Sequence, residues 1–115
     1  MRKYSISISE PADRDLPDIK EFITAQYLSP ETAIKMVETI YEAMFGLSTM
    51  PKKHPLVEDV FLTTFGYRML PVKKYIVFYT LDEMSSPHEV NIERVLYSGR
   101  NWLHILREDR GLLYG

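Results

Sequence analysis

The stretch FGYRMLPVKKYIVFYTLDEMSSPHEVNIERVLYSGRNW, Phe65 to Trp102, decides the fold of this chain. It holds three runs rich in β-branched and aromatic residues, Tyr67 to Val72, Tyr75 to Leu81 and Val90 to Tyr97, each read as a strand. Only Lys73-Lys74 separates the first two, and Asp82 to Glu89 separates the last two. Connections that short join antiparallel neighbours, because a parallel return needs a crossover of a dozen residues or more. Tyr75-Ile76-Val77-Phe78-Tyr79 is apolar throughout, the pattern of a central strand covered on both faces. Asn101 to Arg110 predicts a short closing helix with Trp102, Ile105 and Leu106 inward and Gly111 as its stop.

Toward the N-terminus, Lys3 to Ser9 alternates Tyr4, Ile6 and Ile8 with polar residues, a period of two that argues a half-buried strand. Ser9-Glu10-Pro11 then supplies a cap and an early proline, and Ala12, Leu16, Ile19 and Ile23 recur at helical spacing. Pro17 interrupts that pattern, predicting a kink or a late helix start. Ser29-Pro30 repeats the cap signal, and Ala33, Val37, Ile40, Met44 and Leu47 continue a second helix until Pro51. Two helices joined near Tyr27-Leu28 predict an antiparallel hairpin whose apolar stripes lie on the sheet. Lys52 to Thr64, with Pro55, Glu58 and Asp59, reads as a long surface loop. The predicted order is β-α-α-β-β-β-α, an α+β fold.

At 115 residues, with 45% apolar and 26% charged side chains, residues 1–115 suit one folded domain. The absence of cysteine excludes disulfides and thiolate metal sites and suits a reducing cytoplasm. His54, His88 and His104 lack metal-site spacing, so no metal or other cofactor is expected. The basic start Met1-Arg2-Lys3 has no apolar run behind it, so no signal peptide is expected, and no run reaches the ~18 apolar residues of a membrane span. Net charge is −2, so an anion-binding surface must come from local arrangement. Residues 52–100 are the mildly basic part, with seven Lys/Arg against six Asp/Glu.

The order of elements, the run Tyr67-Arg68-Met69-Leu70-Pro71-Val72 leading to Tyr75 and Phe78-Tyr79, and the ending Arg94-Val95-Leu96-Tyr97-Ser98-Gly99-Arg100 resemble the RelE/ParE superfamily of bacterial toxins. The resemblance covers about nine-tenths of the chain. It implies an antiparallel sheet with the N-terminal helical hairpin on one face and a short C-terminal helix. It also implies a toxin of a type II toxin-antitoxin system with a cognate antitoxin protein as partner, one of acidic to neutral character that covers exposed apolar residues.

Two activities follow from it, of which the RelE-like mRNA nuclease is the expected one and ParE-like gyrase inhibition the alternative, and a third member type has none. RelE-like members are mRNA endoribonucleases that cut mRNA on the ribosome and halt translation; ParE-like members inhibit DNA gyrase and carry no nuclease residues; a third type binds its antitoxin and is inactive. RNA cleavage by a 2′-hydroxyl needs a proton acceptor, cations for the phosphorane and an acid for the leaving oxygen. The matching positions are Arg68, Tyr97 and Arg100, with Glu58 as a possible base, and Arg68 and Arg100 are expected to meet on the uncovered side of the sheet. Lys52, Lys53, His54, Lys73 and Lys74 are candidate RNA-backbone contacts. Ile76 and Leu106 stand where several nuclease members carry an arginine and a tyrosine. Strand parity places Arg94 with Ile92 and Leu96, and Tyr97 on the opposite face with Glu93 and Val95, which makes Arg94 a structural residue paired with a carboxylate.

Overall fold

The computed structural model describes residues 3–112; the reading at Met1-Arg2 lies outside them. Four strands form one sheet in the order β1-β4-β3-β2, where β1 is Ser5–Ile8, β2 Arg68–Val72, β3 Tyr75–Asp82 and β4 Glu89–Tyr97. The three strands read from Phe65–Trp102 are antiparallel to one another, as their short connections require. β1 adds to the edge parallel to β4, since the two intervening helices return the chain to the sheet's starting end.

Both long helices begin where serine caps them. In α1, Glu10–Tyr27, the Ser9 hydroxyl accepts the Ala12 N–H; in α2, Pro30–Gly46, the Ser29 hydroxyl accepts the Thr32 N–H. Leu28, in the left-handed region at φ 51°, ends α1 and turns the chain into α2. Pro17 does not delay the helix, which already begins at Glu10. The proline ring lies on the exposed side, where the carbonyl it leaves without an N–H partner can meet water. Ala12, Leu16, Ile19 and Ile23 of α1 and Ala33, Ile40 and Met44 of α2 are buried against Tyr75, Val77, Tyr79, Ile92 and Val95 of the sheet.

The opposite face is not open. Ile76, Phe78 and Leu96 are covered there by Val57, by Leu62 of α3 (Val60–Thr64) and by Leu106 of α4 (Trp102–Asp109). The segment read as an irregular loop thus contains a 3-10 turn, Pro51–Lys53, and a short helix whose start is fixed by the Asp59 carboxylate accepting the N–H groups of Phe61 and Leu62. Five helical residues are too few to show a periodic apolar pattern. β4 also carries a bulge opposite Phe78/Tyr79: Phe78 pairs with Arg94, but Tyr79 pairs with Ile92. That extra residue reverses the facing upstream of it, so Ile92 lies under the helical hairpin while Arg94 and Leu96 lie on the other face.

Candidate functional site

Register places the candidate residues at two ends of the sheet. Arg68 pairs with Tyr79, and Tyr97 pairs with Tyr75, four residues away along β3 and on its other flank. Four residues along a strand and two strand spacings across separate Arg68 from Tyr97 by roughly 16 Å. Arg100 stays beside Tyr97, its N–H donating to the Tyr97 carbonyl at 3.1 Å. Tyr75 and Tyr79 both face the hairpin, so neither Arg68 nor Tyr97 stands on an uncovered side of the sheet. The structure brings Tyr97 and Arg100 together and leaves Arg68 apart from them.

At the Arg68 end the side chains serve a strap. The Arg68 guanidinium donates to the carbonyls of Lys52 at 3.2 Å and His54 at 2.7 Å. The Tyr79 hydroxyl donates to the Pro51 carbonyl at 2.5 Å, and the Val57 and Met69 N–H groups donate to Tyr67 and Pro55. Residues 51–57 are thereby fastened along the outer edge of β2, which would otherwise present unpaired backbone groups. Burial pushes the Tyr79 hydroxyl up to about 12. Lys52 extends the fastening by pairing with Glu83 at 2.9 Å, and this bond raises the lysine and lowers the carboxyl from their ordinary values. Glu83 also accepts the Tyr4 hydroxyl. His54 is lowered by partial burial and then by Lys53 and Arg68, which favours its neutral form. Lys53 and Glu58 are exposed, and the Glu58 carboxylate takes part in no hydrogen bond or ion pair among the described residues.

The other end is a groove. Two adjoining clefts of about 260 and 420 Å³ share Phe22, Tyr75 and Tyr97 as walls. Arg100 and Asp18 line the first cleft, and Lys73 and Lys74 of the β2–β3 turn line the second together with Tyr27 and Met36. Phe22 is 60% exposed, Tyr27 55% and Tyr97 45%, a large share for aromatic rings gathered in one place. The Tyr97 ring meets Tyr75 edge-on at 5.9 Å and folds over Gly99, where a Cβ would collide with it. Glycine at 99 therefore sets the pose of the tyrosine. Lys73 holds φ at 57°, a left-handed conformation that side chains other than glycine and asparagine rarely adopt. Arg100, Lys73 and Lys74 form no ion pair with any described residue. An apolar aromatic floor with an unpaired cationic rim suits a bound protein segment or an anionic ligand.

Arg94 has a different occupation. Its guanidinium donates through Nε and Nη2 to the two oxygens of Asp15 on α1, each at 2.8 Å, and through Nη1 to Asp109 on α4. Asp15 also accepts the Val95 N–H at 3.0 Å, so both oxygens of its carboxylate are bonded although it lines the groove. The Asp15 bonds, then its charge, hold Arg94 more firmly protonated than an ordinary arginine. This is the structural, carboxylate-paired arginine expected from parity, though the bulge moves Ile92 off its face and Glu93 off that of Tyr97. Glu93 instead accepts the Thr80 hydroxyl at 2.8 Å and lies 3.5 Å from Arg110.

The sequence reading missed the groove itself and the hold on α4. Phe22 and Tyr27 flank the buried stripe of α1, and their exposure depends on which side of that stripe the sheet ends. Among the described residues no group of three or more His, Asp or Glu side chains is placed to hold a metal ion. No described helix is long and apolar enough to cross a membrane.

Residues 6–102 match the family model described as the ParE toxin of the type II toxin-antitoxin system parDE. Among solved structures, the chain is similar to the chromosomal ParDE toxin-antitoxin system from P. aeruginosa, with a TM-score of 0.69 at 20% identity over 84% of this chain and 98% of that one. It is also similar to the toxin-antitoxin complex RelBE2 from Mycobacterium tuberculosis, with a TM-score of 0.60 at 22% identity over 84% of this chain and 93% of that one. At such identities the likeness is one of fold. None of the curated proteins matches.

Proposed function

The chain belongs to the ParE toxin family of type II toxin-antitoxin systems, and on that premise we propose that it arrests growth by binding a target protein, DNA gyrase, and not by cutting mRNA. One observation carries the choice: Arg68 is committed to the carbonyls of Lys52 and His54, and its strand position lies roughly 16 Å from that of Tyr97, beside which Arg100 stands. Cleavage at one phosphate needs its acid, base and cations within hydrogen-bond reach of a single reacting centre, and misplacement by even ~1 Å can cost about a hundredfold in rate. These three side chains cannot converge in that way without dismantling the strap on β2. Ile76 and Leu106, buried and apolar where nuclease members carry an arginine and a tyrosine, add support.

The nuclease reading keeps one observation of its own. Tyr97, Arg100, Lys73 and Lys74 are an aromatic ring and three cations in one groove, a set that can stack a base and hold a strand of RNA. The same groove suits the antitoxin equally: an amphipathic segment laying apolar side chains on Phe22, Tyr27 and Tyr75 would meet Lys73, Lys74 and Arg100 with its acidic ones. Antitoxin binding there is the reading we adopt.

Expressing the chain alone while mapping RNA 5′ ends and plasmid supercoiling separates the possibilities. Gyrase inhibition predicts relaxed plasmid and a DNA-damage response with intact mRNA. Codon-phased mRNA ends with normal supercoiling would overturn the proposal, and absence of growth arrest would mark an inactive member.

A further inference from the structure

The two clefts of the groove differ in how their charge is matched. In the first, Arg100 shares the lining with Asp18, while Asp15 is bonded to Arg94. In the second, Lys73 and Lys74 stand among Phe22, Gln26, Tyr27 and Tyr97, and no carboxylate of the described residues belongs to that lining. The unmatched charge is therefore concentrated at one end of the groove, on the β2–β3 turn, where both lysines are exposed.

The backbone at that turn is unfavourable for a lysine. Val72 pairs with Tyr75, so Lys73 and Lys74 are the two central residues of a tight hairpin. Turns of that length take a positive φ at the first central position, which glycine or asparagine adopts with little strain. Lys73 occupies the position at φ 57°, and its exposed side chain returns nothing to the fold through an ion pair. Leu28 and Met50, the other non-glycine residues with positive φ among those described, line neither cleft. Strained conformations of this kind persist at binding sites, where the side chain itself is needed.

We infer that Lys73 is a specificity-determining residue for the antitoxin: its ammonium, beside that of Lys74, pairs with a carboxylate of the bound segment whose neighbouring apolar side chain sits on Tyr27 and Tyr97. This rests on the reading of the groove as the antitoxin site, and it gives the segment a polarity, with the greater share of its acidic residues at the β2–β3 turn. Recognition, not folding, then accounts for a lysine at a position that suits glycine. A strand of nucleic acid would need cations along the whole groove, and Asp18 interrupts them.

The test measures by calorimetry the affinity of the full-length chain for its antitoxin, recovered from the co-expressed complex, at low salt and in about 0.5 M NaCl, with denaturant unfolding of every variant. Lys73→Asn removes the charge and relaxes the turn, whereas Lys73→Arg keeps both the charge and the strain. Lys3→Asn removes one charge at the opposite end of the sheet, where Ser5 aligns with Glu89 and Glu89 with Asp82. Lys73→Asn is expected to unfold at a higher denaturant concentration than the unaltered chain and yet to bind the antitoxin about tenfold more weakly at low salt, a deficit that shrinks in high salt as the pair is screened. Lys73→Arg and Lys3→Asn are expected to bind within about twofold of the unaltered chain. Equal loss in Lys73→Arg or in Lys3→Asn, or an unfolding midpoint in Lys73→Asn no higher than that of the unaltered chain, overturns the inference. Unchanged binding by Lys73→Asn beside weakened binding by Tyr97→Ala overturns it while leaving the groove as the antitoxin site. Unchanged binding by both overturns that reading, and this inference with it.

Discussion

The two ends of the sheet use the same kinds of side chain for opposite purposes. Around Arg68, a guanidinium, a tyrosine hydroxyl and a lysine each meet a named acceptor: the carbonyls of residues 51, 52 and 54 and the carboxylate of Glu83. Around Tyr97, the ring is 45% exposed, and Arg100, Lys73 and Lys74 have no ion-pair partner among the described residues. The lesson concerns cost. Cations bonded to backbone carbonyls stabilise the fold and are not free to act, whereas unpaired cations beside exposed aromatics contribute little to folding and are available to a partner.

The contrast is sharpest where a tied cation is removed, and the largest expected effect lies at Arg94. Arg94→Ala leaves the buried Asp15 carboxylate with only the Val95 N–H as donor, a loss of about 3–5 kcal/mol of stability in denaturant unfolding. The paired change Arg94→Met with Asp15→Leu should recover part of that, because it leaves no charge orphaned in the core, while the buried Val95 N–H loses its acceptor and Asp109 its partner. Arg68→Ala ranks next. Losing two charge-assisted bonds to carbonyls, one of them partly buried, should cost about 2 kcal/mol and raise amide exchange in residues 51–57. If Arg68→Ala folds with undiminished stability and loses activity alone, Arg68 belongs with the functional end and the contrast fails.

What could be read in advance follows from how locally each feature is encoded. The caps Ser9 and Ser29 with their prolines, the stripe Ala12–Leu16–Ile19–Ile23 and the apolar run of β3 are signals spread over a few adjacent residues, and they placed α1, α2 and β3. α3 escaped because it spans five residues and is fixed by one Asp59 carboxylate. The bulge in β4 escaped because an inserted residue has no signature of its own; it appears only once Phe78 and Tyr79 choose their partners. Of the candidate residues, Tyr97 and Arg100 stand together in one cleft and Arg68 does not join them, a geometry the residue types alone do not carry. Nothing in the chain near Arg68 announces that its acceptors are carbonyls fourteen and sixteen residues earlier.

A smaller effect, one that depends on pH, tests the same fastened end. Tyr79→Phe leaves the buried Pro51 carbonyl without its donor and should cost about 1–2 kcal/mol at neutral pH. The hydroxyl's value is raised in the folded state to about 12 from 10.0, so its contribution is complete below pH 10 and is lost as pH rises toward 12. Denaturant midpoints between pH 9 and 12 should therefore fall less steeply in Tyr79→Phe than in the unaltered chain. Equal slopes would show that the tyrosine is not shielded as the strap implies.

The smallest effect on stability is expected where function is placed. Arg100→Ala removes an unpaired cation and should shift unfolding by no more than about 0.5 kcal/mol, and Tyr97→Ala, which also loses the edge-on contact with Tyr75, by about 1 kcal/mol. Gly99→Ala acts on the same ring without removing it, because its Cβ displaces Tyr97 from its seat. If the groove receives the antitoxin, all three should weaken its binding in calorimetry, Tyr97→Ala by about tenfold or more as for a buried aromatic anchor. Gly99→Ala is the discriminating member, since it keeps every functional group and changes only the pose. Full affinity in Gly99→Ala with loss in Tyr97→Ala would mean that the ring provides area and not position, whereas parallel losses would make the close approach over Gly99 part of the site.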